Sequence, residues 1–183
     1  PTAERQVGLL PPVLKNIDLS DNQLCGLDGR GHGTYDATGI QALAAALSSG
    51  SAVLTDCTLI NNNLDVESAT TLAKIGTEKQ IMLSGMKRDQ TEANFRFEGL
   101  KPADGILIAS DLRVSAVMTS INVGFNQLDE EAALAIVRAI KPRDKMTSLG
   151  LARCGIGPTG AKEIAEYVAV SSVLTNLNLA NNQ

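Results

Sequence analysis

The chain has 183 residues, 44% of them hydrophobic and 20% charged, with 16 Lys+Arg against 20 Asp+Glu and a formal net charge of −4. That balance excludes a chain disordered by composition. No apolar run of about 18 residues is present to insert into a membrane, and the acidic excess argues against nucleic acid, which selects a basic face. Three Phe, two Tyr and no Trp leave few stacking platforms, and a single His leaves little acid–base chemistry near neutrality.

In chain order, Pro1 to Val13 carries Leu9-Leu10-Pro11-Pro12 and reads as a partial cap or the tail of an earlier repeat. Leu14-x-x-Ile17-x-Leu19-x-x-Asn22-x-Leu24 follows. Its alternating apolar residues predict a short strand, and Asn22 stands where the chain turns away. Leu27 to Thr38 is an insertion holding Gly29-Arg30-Gly31-His32-Gly33-Thr34. A phosphate loop is the alternative there, but the Lys-Ser/Thr of a P-loop is missing. Gly39-Ile40-x-x-Leu43-Ala44-x-x-Leu47 then has helical spacing. The pattern returns at Leu54-x-x-Cys57-x-Leu59-x-x-Asn62-x-Leu64. Glu78 to Asp89 holds an Ile81/Leu83 alternation and Lys87-Arg88, read as an extra strand-like element that interrupts the arc, with a docking knob as the alternative.

From Gln90 onward, four copies start at Gln90, Met118, Met146 and Leu174, each 28 residues after the last. Such repeats, each burying its apolar face only against its neighbours, define a solenoid. Asn126 and Asn182 continue the series of Asn22 and Asn62, Cys154 takes the place in one copy, and Glu98 departs from it in another. These four Asn form an expected structural ladder, because an amide at the turn bonds backbone groups of its own and the adjoining coil. Helical stripes recur at Ala132, Ala133, Ile136, Val137 and Ile140, and at Gly160, Ala161, Ile164, Ala165 and Val168. Asp129-Glu130-Glu131 and Pro158-Thr159 mark helix starts.

The pattern LxxLxLxxNxL resembles the leucine-rich repeat, and the 28-residue period resembles its ribonuclease-inhibitor-like subfamily. The resemblance implies a right-handed α/β solenoid, a horseshoe arc with short parallel strands on the concave face and helices on the convex face. One domain over 1–183, with about six repeats starting near 14, 54, 90, 118, 146 and 174, is expected as a stretch of a longer repeat protein. The C-terminal end shows no cap and is expected to pack on a neighbour. Three cysteines, Cys25, Cys57 and Cys154, form no CxxC site or disulfide framework and point to reduced thiols in the cytoplasm.

Third, fifth and seventh positions of each strand are expected to face solvent, including Gly124, Gly150 and Ala152 in the later copies. They supply most of a candidate partner-binding set: Asp18, Asp56, Glu92, Asn94, Arg96, Asn122 and Asn178, joined by Phe125 and Arg153 from the eighth position. Phe97 also occupies the eighth position, giving a Phe97/Phe125/Arg153 anchor row. The resemblance offers the opposite reading for the rings, an inward phenylalanine spine. No catalytic constellation, metal-ligand spacing or cofactor motif is present. A non-enzymatic scaffold for a protein partner is the reading. The alternatives are a small-GTPase regulator, by resemblance to the Ran GTPase-activating protein, and a structural subunit of a large assembly.

Overall fold

The computed structural model describes residues 13–49 and 53–183, so the expected cap at Leu9-Leu10-Pro11-Pro12 lies outside the described residues. Strands and helices alternate: β1 (Asn16–Asp18), α1 (Thr38–Ser49), β2 (Asp56–Thr58), α2 (Val66–Lys79), β3 (Glu92–Asn94), α3 (Pro102–Val114), β4 (Ser120–Asn122), α4 (Glu130–Ile140), β5 (Ser148–Gly150), α5 (Pro158–Val170) and β6 (Asn176–Asn178). Among the described residues all strand pairs are parallel, and each joins strands that are consecutive in sequence. Glu92, Ser120, Ser148 and Asn176 stand side by side, so the 28-residue period is the sheet register itself. Helices likewise pack on their sequence neighbours. The molecule is an α/β solenoid of the leucine-rich-repeat type.

Each coil buries the apolar positions of its pattern. Ile121, Val123, Leu149 and Leu151 are fully enclosed between neighbouring coils. Leu174, Leu177 and Leu179 pack on one side only and stay half-buried. The same logic corrects the helical stripe of α5. Ala133, Val137 and Ile140 are buried in α4 because α5 lies against them. Their counterparts Ala161, Ala165 and Val168 are exposed, with no further coil among the described residues to cover them.

The turn asparagines bond across coils. Asn126 Nδ2 donates to its own Val123 O at 2.9 Å and to Phe95 O of the preceding coil at 2.7 Å, while its Oδ1 accepts from the Leu100 N–H at 3.1 Å. Asn62 donates to Leu59 O and back to Leu19 O. Asn182 donates to Leu151 O and accepts from the Cys154 and Ile156 N–H groups. Asn22, in the first described coil, is exposed and bonds only its own coil. Cys154 holds the same place with a weak sulfur contact to Ala152 O. Glu98 is exposed, and Asn126 of the next coil accepts from the Leu100 N–H beside it. Asn126→Leu is therefore expected to cost about 1–3 kcal/mol, since it strands one buried donor and two acceptors. Ser120→Ala on the strand face should stay within about 0.5 kcal/mol. Urea unfolding of both variants checks the pair; a near-zero value at Asn126 would refute the ladder.

The strand layer is not one continuous sheet. Among the described residues β1 and β2 form one sheet and β3 to β6 another. Residues 81–84 extend the first sheet: Met82 bridges Asp56 in parallel, the Cys57 N–H donates to Met82 O, and the Leu59 N–H donates to Leu83 O. The chain then crosses through Gly85 to Thr91 and starts again at β3. Side chains of this segment divide between two cores, with Ile81 and Leu83 in the first and Met82 and Met86 in the second. The extra strand-like element expected here thus closes one sheet before the next begins.

Helix α3 lies over this junction. It is flanked by α2 and α4, and among its residues Arg113 alone is exposed. Close approach needs small side chains: a Cβ at Gly105 would stand 3.0 Å from the Ala132 Cβ. Asp111, fully buried on α3, accepts from the Leu83 N–H (2.7 Å), the Ser84 N–H (2.7 Å) and the Ser84 hydroxyl (2.6 Å). Its carboxylate takes the donors of the segment on the side where β3 does not pair. Burial pushes its pKa up to about 7, against the pull of the three donors.

Candidate functional site

Strand exits, where the chain leaves β3, β4 and β5, gather the features of interest. The residue just before each turn asparagine, or its replacement, adopts a left-handed backbone in all six coils: Asp21, Asn61, Phe97, Phe125, Arg153 and Asn181. The loop must reverse there so that the following amide can point inward. Asp and Asn tolerate this conformation, whereas other L-residues in it cost about 1–2 kcal/mol. Three consecutive coils therefore carry Phe, Phe and Arg against local backbone preference.

These rings do not form an inward spine. Phe97 is 64% exposed and Phe125 half-buried. Their centroids lie 5.0 Å apart at a tilt of 43°, a favourable aromatic pairing. The inward phenylalanine of this coil is instead Phe95, which packs on the core. A left-handed backbone at the eighth position turns the side chain out, which is why the rings reach the surface. Arg96 lies over both, its guanidinium carbon 4.4 Å from the Phe97 centroid and 4.5 Å from that of Phe125. Such cation–π contacts contribute about 0.5–1 kcal/mol at exposed sites. The Phe125 N–H donates to Ala152 O, placing the pair beside Arg153, which is exposed on the next coil.

The other candidate residues divide in two. Asp18, Asn94, Asn122 and Asn178 share the fifth position, and each side chain accepts from the N–H two residues ahead, at Ser20, Arg96, Gly124 and Ala180. They brace the strand exits, a role that strand alternation alone does not reveal. Asp56 is engaged by the Thr55 hydroxyl at 2.6 Å. Glu92 is exposed at the edge of the second sheet and makes no ion pair among the described residues. Gly124, Gly150 and Ala152, expected to face solvent, are buried. The Asn122 side chain covers this stretch; a Cβ at Gly150 would meet its Oδ1 at 2.5 Å. The strand face of coils four and five is thus tight and nearly featureless, and the exits carry the large side chains.

The two insertions have ordered explanations. Asp28 accepts from the Arg30 and His32 backbone N–H groups and faces the His32 ring at 3.2 Å, closing the glycine-rich loop on itself. Asn63 ties that loop to the second coil by donating to Leu27 O and Asp28 O. Lys87 and Arg88 are exposed beside the sheet junction. All three cysteines are free and buried, and burial pushes Cys57 and Cys154 up to about 12, so these thiols are poor nucleophiles. Among the described residues no cluster of three His, Cys, Asp or Glu could hold a metal ion, and no helix is long and apolar enough to cross a membrane.

Alternating short parallel strands and helices, stacked coil on coil in a 28-residue register, define a leucine-rich-repeat solenoid. A family model described as Leucine Rich repeat matches residues 145–165, which span the fifth strand and the start of its helix. No curated protein sequence matches the chain. Among solved structures, the tropomodulin C-terminal domain of Caenorhabditis elegans is similar at 15% identity, over 85% of this chain and 83% of that one, with a TM-score of 0.37.

One consequence of the backbone geometry is measurable directly. The Arg153 side chain makes no hydrogen bond or ion pair among the described residues, yet it sits at φ 52°. Arg153→Asn is expected to raise stability by about 0.5–1 kcal/mol, because asparagine accepts this conformation at lower cost. A lower thermal midpoint would show that the arginine stem packs on the fold.

Proposed function

We propose that this chain is a non-enzymatic protein-binding scaffold that meets its partner at the strand exits of coils three to five. The observation that carries this reading is the Phe97/Phe125 pair, turned outward on a backbone conformation that favours other residues. Aromatic and arginine side chains are the usual anchors of protein interfaces, and residues held in costly backbone geometry gather at functional places. The constant 28-residue register from Glu92 to Asn176 supports the ribonuclease-inhibitor-like grouping and a single repeat domain.

Site-specific photocrosslinking tests it. A benzoylphenylalanine at position 97 in cells making the protein should give a discrete adduct with one partner, absent when the probe replaces Ala45 on the exposed face of α1. Phe125→Ala should weaken the interaction with that partner about tenfold, as loss of an anchor does. Equal adducts at both probe positions, or none at 97, would overturn the proposal.

A further inference from the structure

We infer that the exit edge takes an acidic peptide segment, its carboxylates gripped by Arg96 with Arg153 beside it, and an apolar side chain laid on the Phe97/Phe125 rings. This rests on the reading just given and names the chemistry of the partner. The ion pairs among the described residues involve His32 with Asp28, and Arg138 with Glu131 and Glu163. Arg96 and Arg153 are in none of them. The Arg96 guanidinium carbon already lies within 4.5 Å of both ring centroids, so the group is placed without a carboxylate of the chain itself. The planar guanidinium fork matches a carboxylate with two parallel bonds.

Several backbone donors at this edge are already used. The Arg96 N–H bonds Asn94, the Gly124 N–H bonds Asn122, the Phe125 N–H bonds Ala152 and the Arg153 N–H bonds Ala180. The guanidinium groups of Arg96 and Arg153, in no ion pair among the described residues, are the recognising elements. Asp18, Asp56 and Glu92 lie along the strand face and Glu98 follows Phe97. They set a negative flank that orients an acidic segment toward the arginines of coils three to five.

The test is fluorescence anisotropy on the whole chain with a labelled dodecapeptide of alternating leucine and glutamate. Its twins carry glutamine or phosphoserine in place of glutamate. The glutamate peptide is expected to bind at least tenfold tighter than the glutamine twin at 50 mM salt, with the gap narrowing at 0.5 M salt. Arg96→Gln should abolish that gap, and Arg96→Lys, which keeps the charge without the fork, should shrink it at least threefold. Phe125→Ala should weaken both peptides, and the glutamate peptide more, because Arg96 loses one of the two rings it rests on. Equal binding of the glutamate and glutamine peptides overturns the acidic assignment while leaving the aromatic edge standing, provided Phe125→Ala still weakens both. Tighter binding of the phosphoserine twin also overturns it, in favour of a phosphorylated ligand. No binding of any peptide, alongside a partner crosslinked at position 97, removes the acidic segment alone; failure of that crosslink as well removes the edge.

Discussion

Asp111→Ala is expected to destabilise the chain by about 3–5 kcal/mol. The substitution leaves the Leu83 and Ser84 N–H groups without acceptors in the protein interior, each at about 1–3 kcal/mol, and opens a small void beside them. Relief from burying the carboxylate offsets part of this loss. Ser84→Ala removes only the third donor and should cost about 1 kcal/mol, so the two variants separate the backbone bonds from the hydroxyl. The group also carries a pH signature. Burial raises its folded pKa to about 7, well above the usual carboxylate range. Its stabilising contribution is therefore fully present below about pH 4 and declines as pH rises through 7. Urea denaturation at several pH values between 4 and 8 should show wild type gaining on Asp111→Asn as the pH falls. A constant difference, or one of opposite slope, would mean the carboxylate stays ionised throughout.

Leu149→Ala is expected to cost about 3–4 kcal/mol, in the range of leucine truncations that leave a cavity in a core unable to collapse. Leu149 is fully enclosed between β4 and β6, where Ile121 and Leu177 pair with it. Leu177→Ala, one coil on, removes a side chain that is only half-buried and should cost about half as much. Chemical denaturation of the two variants compares identical chemistry in two environments. Equal losses would contradict stacking of like positions from coil to coil.

Periodicity alone makes much of this fold readable. Gapless copies place Leu149, Leu151 and Ile121 in the interior because sheet register and repeat register coincide. The asparagine series locates the turns, because an amide is the side chain that can donate and accept at a coil corner. Other features depend on contacts between coils. Asp111 in the sequence is one acid in a helix; its role appears only when the 81–84 segment lies under α3. Asn94 and Asn122 read as polar residues of a strand face, yet their carbonyl oxygens fold back onto the next turn. The outward set of Phe97 and Phe125 is the instructive case. A signal was present, since Asp21, Asn61 and Asn181 occupy the same position and are residues that accept a left-handed backbone. That comparison gives the conformation, and the conformation gives the direction of the rings. The tight cover over Gly150 had no such marker, because it follows from the length of a neighbouring side chain.

The seam between the two sheets has a mechanical consequence. Force applied along a continuous ladder is shared by successive backbone bonds, but here tension must pass through the Asp111 carboxylate and the packed side chains of α3. The two sheets are accordingly held together by α3, packed between α2 and α4, rather than by strand pairing.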